Sequence, residues 1–358
     1  MSNWEYHETE LWRYGENDIS IYHIFSTIAV GMTVLVFAEA RHGTGTDAAC
    51  AHDIVMKISH DGGRHFASNI CLLPADGEHC YCNPVPVYDS KIGRLYLFYA
   101  DNRDNLLPRN FYIFSNDLGM TWSPSQAIDS LFELPFNLPG PGHGICLQHG
   151  ARAGRLIVPF WHRGGGLDLP LTERGYCASF LYSDDHGESW HRGAYIGHEV
   201  MANECRLSET AEEIVWSMRT KDTLPVLAYS RDGGQTWSLP EKAALPPARN
   251  CDIGAIGLQI AGRAGYENLL LLSRVSHPDQ RRDMEIVIST DGGHTFPLHF
   301  PLMCGDAMPG YSDLCVIEGE EKAIGLVHCR CNHVLFSYIS LQTLTGGKYD
   351  GTERTVWL

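Results

Sequence analysis

Short apolar runs recur along the chain, at Thr33–Ala38, Arg94–Tyr99, Arg155–Phe160, Glu213–Ser217 and Asn268–Leu272. Their length and composition predict strands. Each is followed by a second strand, Asp53–Ile58 for example, that ends at a polar turn of the form Ser-x-Asp-x-Gly-x-Thr-aromatic. Five copies of that turn begin at Ser59, Ser115, Ser183, Ser230 and Ser289 and end at Phe66, Trp122, Trp190, Trp237 and Phe296. The chemistry is that of a hairpin tip: Asp accepts nearby backbone N–H groups, Gly takes positive φ, and the aromatic ring folds back into an apolar layer. Five such turns at similar spacing imply one sheet unit repeated radially, an all-β propeller with each turn between the outer strands of a blade. The aspartates of these turns are therefore expected to hold backbone rather than to carry chemistry.

A sixth unit has strands but no turn motif: Asp313–Ile317, Ala323–Val327 and Val334–Tyr338. The segment around Glu10-Leu11-Trp12 is expected to supply its last strand and close the ring, leaving no open sheet edge. The prediction is thus a six-bladed β-propeller occupying residues 1–358 as one domain, without long helices, in which Leu131–Pro141 is a loop.

Charge and cysteine content narrow the partners. A formal net charge of −16 argues against nucleic acid and anionic membrane surfaces, so an anionic ligand would have to be held by a few locally placed arginines. No stretch is long enough to span a bilayer. The first residues, Met1 to Glu8, show neither a basic start nor an apolar segment, so a cytoplasmic location is expected. The 12 cysteines then read as reduced thiols. His79-Cys80-Tyr81-Cys82 and His328-Cys329-Arg330-Cys331-Asn332-His333 resemble ligand clusters, yet alternation along a strand accounts for them; no metal and no cofactor is expected.

The residues able to carry chemistry lie between the strands. They are Tyr22-His23, the run Phe37-Ala38-Glu39-Ala40-Arg41 with its Gly- and Thr-rich exit to Asp47, Gly140-Pro141-Gly142-His143-Gly144-Ile145, Asn203-Glu204-Cys205, Met218-Arg219, Arg281-Arg282-Asp283-Met284 and Tyr311-Ser312-Asp313-Leu314. In this order, and together with the Asp-box turns, the set resembles the exo-sialidases (neuraminidases) of the six-bladed propeller class over nearly the whole chain. That resemblance implies Tyr311 as nucleophile, Glu204 as the base that draws off its proton, and Asp47 as the acid for the leaving oxygen. It also implies Arg219 and Arg281 as the grip on a substrate carboxylate, with Arg41 lining the pocket. A tyrosine suits an anomeric carbon that bears a carboxylate, since an anionic nucleophile would be repelled. Arg282 competes with Arg281 for the mouth, and His143 is expected to be structural.

The pattern breaks at one place. Where the family carries an arginine in the first blade, this chain has His23, and the glutamate that normally buttresses that arginine corresponds to His328-Cys329. Loss of both halves of an ion pair reads as a rebuilt pocket. The expected substrate is a terminal sialic acid or related acidic sugar on a glycan, held by Arg219, Arg281 and a protonated His23. Two other readings stand beside it: a carbohydrate-binding propeller without turnover, and a polysaccharide lyase acting on a uronic acid.

Overall fold

The apolar runs form middle strands of six antiparallel sheets in the computed structural model, which describes residues 5–164, 175–211, 213–258, 269–303 and 310–344. Asn268 and both chain ends lie outside these residues. The first blade is Ile21–Val30, Thr33–Arg41, His52–Ser59 and Ile70–Leu73, and the second is Tyr81–Asp89, Arg94–Asp101, Arg109–Ser115 and Gln126–Ala127. In the third, Phe136–Pro139 and Ile145–Cys146 both pair with Leu156–Arg163, followed by Tyr176–Ser183 and His191–Arg192. The fourth comprises Cys205–Glu209, Ile214–Met218, Val226–Ser230 and Glu241–Lys242, and the fifth Gly254–Leu258, Leu269–Val275, Met284–Ser289 and Leu298–Met303. Asp313–Glu318, Lys322–Arg330 and His333–Ser340 make the sixth, and Tyr6–Arg13 completes it from the other end of the chain, Trp12 opposite Val334.

Why the middle strands read as unbroken apolar runs is clear from the packing. Each is buried on both faces, because the core consists of layers between neighbouring blades rather than one central mass. Val36, Phe25 and Phe336 fill the layer between the sixth and first blades, Phe37, Leu95 and Leu97 the next, and Phe180 with Trp216 the one between the third and fourth. The first strand of each blade lies against those of its neighbours, closing the ring around an axis.

The five turns sit between the third and fourth strands of their blades and share one hydrogen-bond scheme. In the first, Ser59 Oγ receives Gly63 N–H at 2.8 Å and donates to Asp61 Oδ1 at 2.8 Å, while Asp61 receives His65 N–H at 2.9 Å. Gly63, at φ +88°, lies so close to Phe336 that a Cβ there would come within 2.1 Å of the ring. The turn therefore docks its blade onto the preceding one.

One sequence expectation is corrected. Leu131–Pro141 is not a loop throughout: Phe136–Pro139 is a strand, Phe136 opposite Arg163 and Pro139 opposite Phe160. Its Pro139 has no N–H to give, and Gly140 N–H bonds Pro159 O at 2.8 Å in its stead, so the strand is short and ends at the mouth.

Candidate active site

The side chains singled out in the sequence come from strand ends and from the links beside them. In the first blade the strand Ile21–Val30 bulges after His23, with Ile24 at φ +48°. A β-branched residue adopts that conformation only under constraint, and the bulge takes His23 out of the regular ladder. Its ring meets that of Tyr311 edge-on, with centroids 4.6 Å apart and planes at 89°. A second bulge follows Cys82, and there Asn83 N–H donates to Glu39 Oε1 at 2.8 Å.

Glu39 is fully buried and serves Arg41. Its Oε2 accepts from Arg41 Nε at 2.8 Å and lies 2.7 Å from Nη2. Arg41 Nη1 then reaches Asp47 Oδ1 at 2.7 Å and Gly45 O at 3.3 Å, so the Gly- and Thr-rich segment is tied down at its tip. Asp47 itself is 83% exposed. Partial burial would raise its pKa, but the charge and hydrogen bond of Arg41 outweigh this and hold the carboxyl below its ordinary range.

At the centre, the Tyr311 hydroxyl donates to Glu204 Oε1. Arg219 Nη1 donates to Glu204 Oε2 and lies 3.3 Å from the Tyr311 oxygen. Tyr311 and Glu204 are both 7% exposed. Burial, and then the charge of Glu204, push the phenol well above its ordinary pKa. The resting Tyr311 is therefore a neutral phenol that donates to Glu204. Arg281 is exposed and donates from Nε to Asn250 O at 3.3 Å. Arg282 turns instead toward Asp283, 3.4 Å away. Both precede the strand Met284–Ser289, so loop geometry rather than strand alternation separates them.

Beneath this mouth a buried polar network follows the axis. Arg206, fully buried, donates to Asp252 at 2.6 Å and lies 3.6 Å from Asp313, which accepts Thr27 N–H at 2.9 Å and sits 3.0 Å from His143 Nδ1. Burial pushes Asp252 up to about 7. His143 thus holds the axis as well as its Gly-rich loop. Gly142, at φ +88°, is required there because a Cβ would overlap Arg206 Nε at 2.0 Å.

The BNR repeat-like domain model matches residues 32–329. The chain belongs to that family, within the sialidase superfamily. Sialidase-3 of Homo sapiens is 28% identical over 85% of this chain and 85% of its own length, and Sialidase-3 of Rattus norvegicus is 24% identical over 84% and 85%. Among solved structures, the Hadza microbial sialidase Hz136 superposes with a TM-score of 0.79 at 23% identity, covering 93% of this chain and 68% of its own. The Ruminococcus gnavus intramolecular trans-sialidase, bound to oseltamivir carboxylate, gives 0.76 at 17% identity over 93% and 97%.

Against the family pattern, the two departures meet in space. A Cβ built on Gly310 would lie 3.2 Å from Cys329 Sγ and 3.8 Å from His23 Cε1, so His23 and Cys329 flank the residue before Tyr311. Cys329 Sγ accepts Gly310 N–H at 3.0 Å. His328 faces away, with Nε2 2.9 Å from Ser337 Oγ and 3.7 Å from Glu8. A protonated His23 is not what this environment favours. Burial and the Arg41 guanidinium lower its pKa to about 3, and its buried Nδ1 has no hydrogen-bond partner among the described residues.

Several residues of the site went unassigned in the sequence. Glu39 stood inside a quoted motif and Arg206 directly after one, but only the structure shows what each one braces. Asn250, Asp252 and Cys251 carried no local signal, since their partners Arg219, Arg206 and Gly310 lie in other segments.

Proposed function

We propose that this protein is a glycosidase of the sialidase type that removes a terminal sialic acid or related acidic sugar from a glycan, with retention, through Tyr311. The observation that carries this reading is the contact among Tyr311, Glu204 and Arg219 at the axial mouth. In the reaction, the anomeric carbon takes the phenol oxygen as the phenolic proton passes to Glu204, whose other oxygen is held by Arg219. Asp47 protonates the departing oxygen and then, as carboxylate, activates the water that cleaves the tyrosyl–sugar bond. Arg281 receives the sugar carboxylate by forked hydrogen bonds, which a lysine would not reproduce, and Arg219 adds its Nη2. His23, neutral, presents an uncharged wall where the family has a third arginine.

Relatives named sialidases at 24% and 28% identity support the reaction class. Replacing Tyr311 with Phe tests the assignment. Hydrolysis of an aryl sialoside is expected to fall by on the order of a thousandfold or more with the fold intact. Unaltered turnover would refute the role of Tyr311, and release of an unsaturated uronate in place of a free acidic sugar would favour the lyase.

A further inference from the structure

Two guanidinium groups meet on one residue that the reaction scheme does not use. Asn250 lies in the link from the fourth blade to the fifth and is half-buried. Its Oδ1 accepts Arg219 Nε at 2.5 Å, and its main-chain oxygen accepts Arg281 Nε at 3.3 Å. The amide nitrogen donates to Asp222 O at 3.1 Å and to Thr220 O, both in the turn that follows Arg219. An amide fits this place where a carboxylate or a hydroxyl would not. It must accept from a cation on one side and donate to two carbonyls on the other.

The consequence concerns what remains free. Among the described residues, Nη2 of Arg219 and both terminal nitrogens of Arg281 make no hydrogen bond. Arg219 is anchored through Nε and Nη1 and Arg281 through Nε alone, and the remaining outer N–H groups are those left for a ligand. Arg219 comes from the fourth blade and Arg281 from the fifth, so Asn250 spans the seam between them and fixes how far apart the guanidinium planes stand. With His23 neutral, no third cation at that position corrects an error in this spacing.

We propose that Asn250 is the positioning residue that couples Arg219 to Arg281 into one carboxylate clamp, and so sets the selectivity of this site for an acidic sugar over its uncharged analogue. This rests on the sialidase reading above, deepening it by one residue. Asn250 touches no reacting atom; it acts through the two arginines.

The test compares binding of a 2,3-unsaturated sialic acid with that of its methyl ester, by calorimetry, in the wild-type protein and in Asn250→Ala. The wild type is expected to prefer the acid. In Asn250→Ala the acid-to-ester ratio should fall by about tenfold, the equivalent of one charge-assisted hydrogen bond, while ester binding and the melting temperature stay close to wild type. A merely structural role would weaken both ligands alike and leave the ratio unchanged, which would overturn the proposal. Asn250→Asp provides the second variant should the alanine protein not fold: its added carboxylate competes for the guanidiniums, so the ratio should drop again, and an undiminished ratio would sink the idea. A wild type that does not distinguish acid from ester would overturn the clamp and the sialidase reading together. A discriminating wild type with an unaffected Asn250→Ala overturns Asn250 alone.

Discussion

Charge at the mouth is balanced closely enough that a single proton matters. Three guanidiniums, from Arg41, Arg219 and Arg281, face three carboxylates, from Glu39, Asp47 and Glu204, and His23 adds none. An incoming sugar carboxylate is then best received when Asp47 carries a proton, which is also the form that an acid catalyst needs. In the free protein Arg41 holds the Asp47 carboxyl below its ordinary range, burial notwithstanding, and a bound anion must raise it. Binding therefore takes up a proton, and linkage gives the sign: affinity for an acidic sugar weakens as pH rises from the depressed Asp47 value of the free protein to the higher value in the complex, by up to about tenfold per unit. Measured dissociation constants should show this slope in the wild type and lose it in Asp47→Asn. A slope that survived in Asp47→Asn and vanished in His23→Gln would return the switch to the histidine. Residue identity alone pointed to His23, because histidine titrates near neutrality in water; what the chain could not disclose was how burial and Arg41 would suppress that proton.

At the level of elements, the turns are where the sequence was most informative, and the innermost strands where it was least. A turn carries its partners within eight residues, so its Ser, Asp and Gly declare their roles locally. The strand Cys205–Glu209 contains Arg206, and Asp313–Glu318 begins with a buried aspartate. Phe136–Pro139 ends in proline. Cys205–Glu209 and Phe136–Pro139 face the polar axis, so their pattern is mixed and no apolar run marks them, whereas Leu314-Cys315-Val316-Ile317 made the first strand of the sixth blade legible. The turns also make a prediction. Burial opposes ionisation of Asp61 and Asp232, but hydrogen bonds from His65 and Thr236 prevail and bring both to about 2. In Asp117 and Asp185 the hydrogen bonds from Thr121 and Ser189 dominate outright, with the same result of about 2. Because these folded-state values lie below those of the unfolded chain, their contribution is present above the ordinary carboxylate pKa and is lost as pH falls toward 2. Acid titration followed by circular dichroism should show unfolding in that window. Asp232→Asn should lower stability at neutral pH while narrowing the difference between neutral and acidic stability. An equal loss at both ends of the titration would mean that the turn aspartate acts through shape alone.

For the whole molecule, the ring is what makes a site out of residues scattered from His23 to Tyr311. Tyr6–Arg13 pairs with His333–Ser340 and closes the ring, but it is itself the outer edge of the sixth blade, so the expectation of no open edge is not met there. The axial network joins segments of several blades, with Thr27 from the first, His143 from the third, Arg206 from the fourth, Asp313 from the sixth, and Asp252 from the link between the fourth and fifth. Removing one member of such a buried set strands a charge, at a cost of about 3–5 kcal/mol, so the site's floor is rigid for the same reason that it is expensive to alter. The ordered motifs made most of the mouth legible, since they sit at strand ends or in the links beside them and the ring topology brings those segments together. Asn250 was not legible, nor was which of His328 and Cys329 faces His23, because each depends on a distance between separate blades.

The central claim is that Tyr311 attacks the sugar, and covalent capture tests it most directly. Incubation with a 2,3-difluorinated sialic acid, followed by proteolysis and mass spectrometry, should place one added sugar on the peptide containing Tyr311, and none in Tyr311→Phe. A sugar attached elsewhere, or sialoside hydrolysis with inversion at the anomeric carbon, would contradict the account.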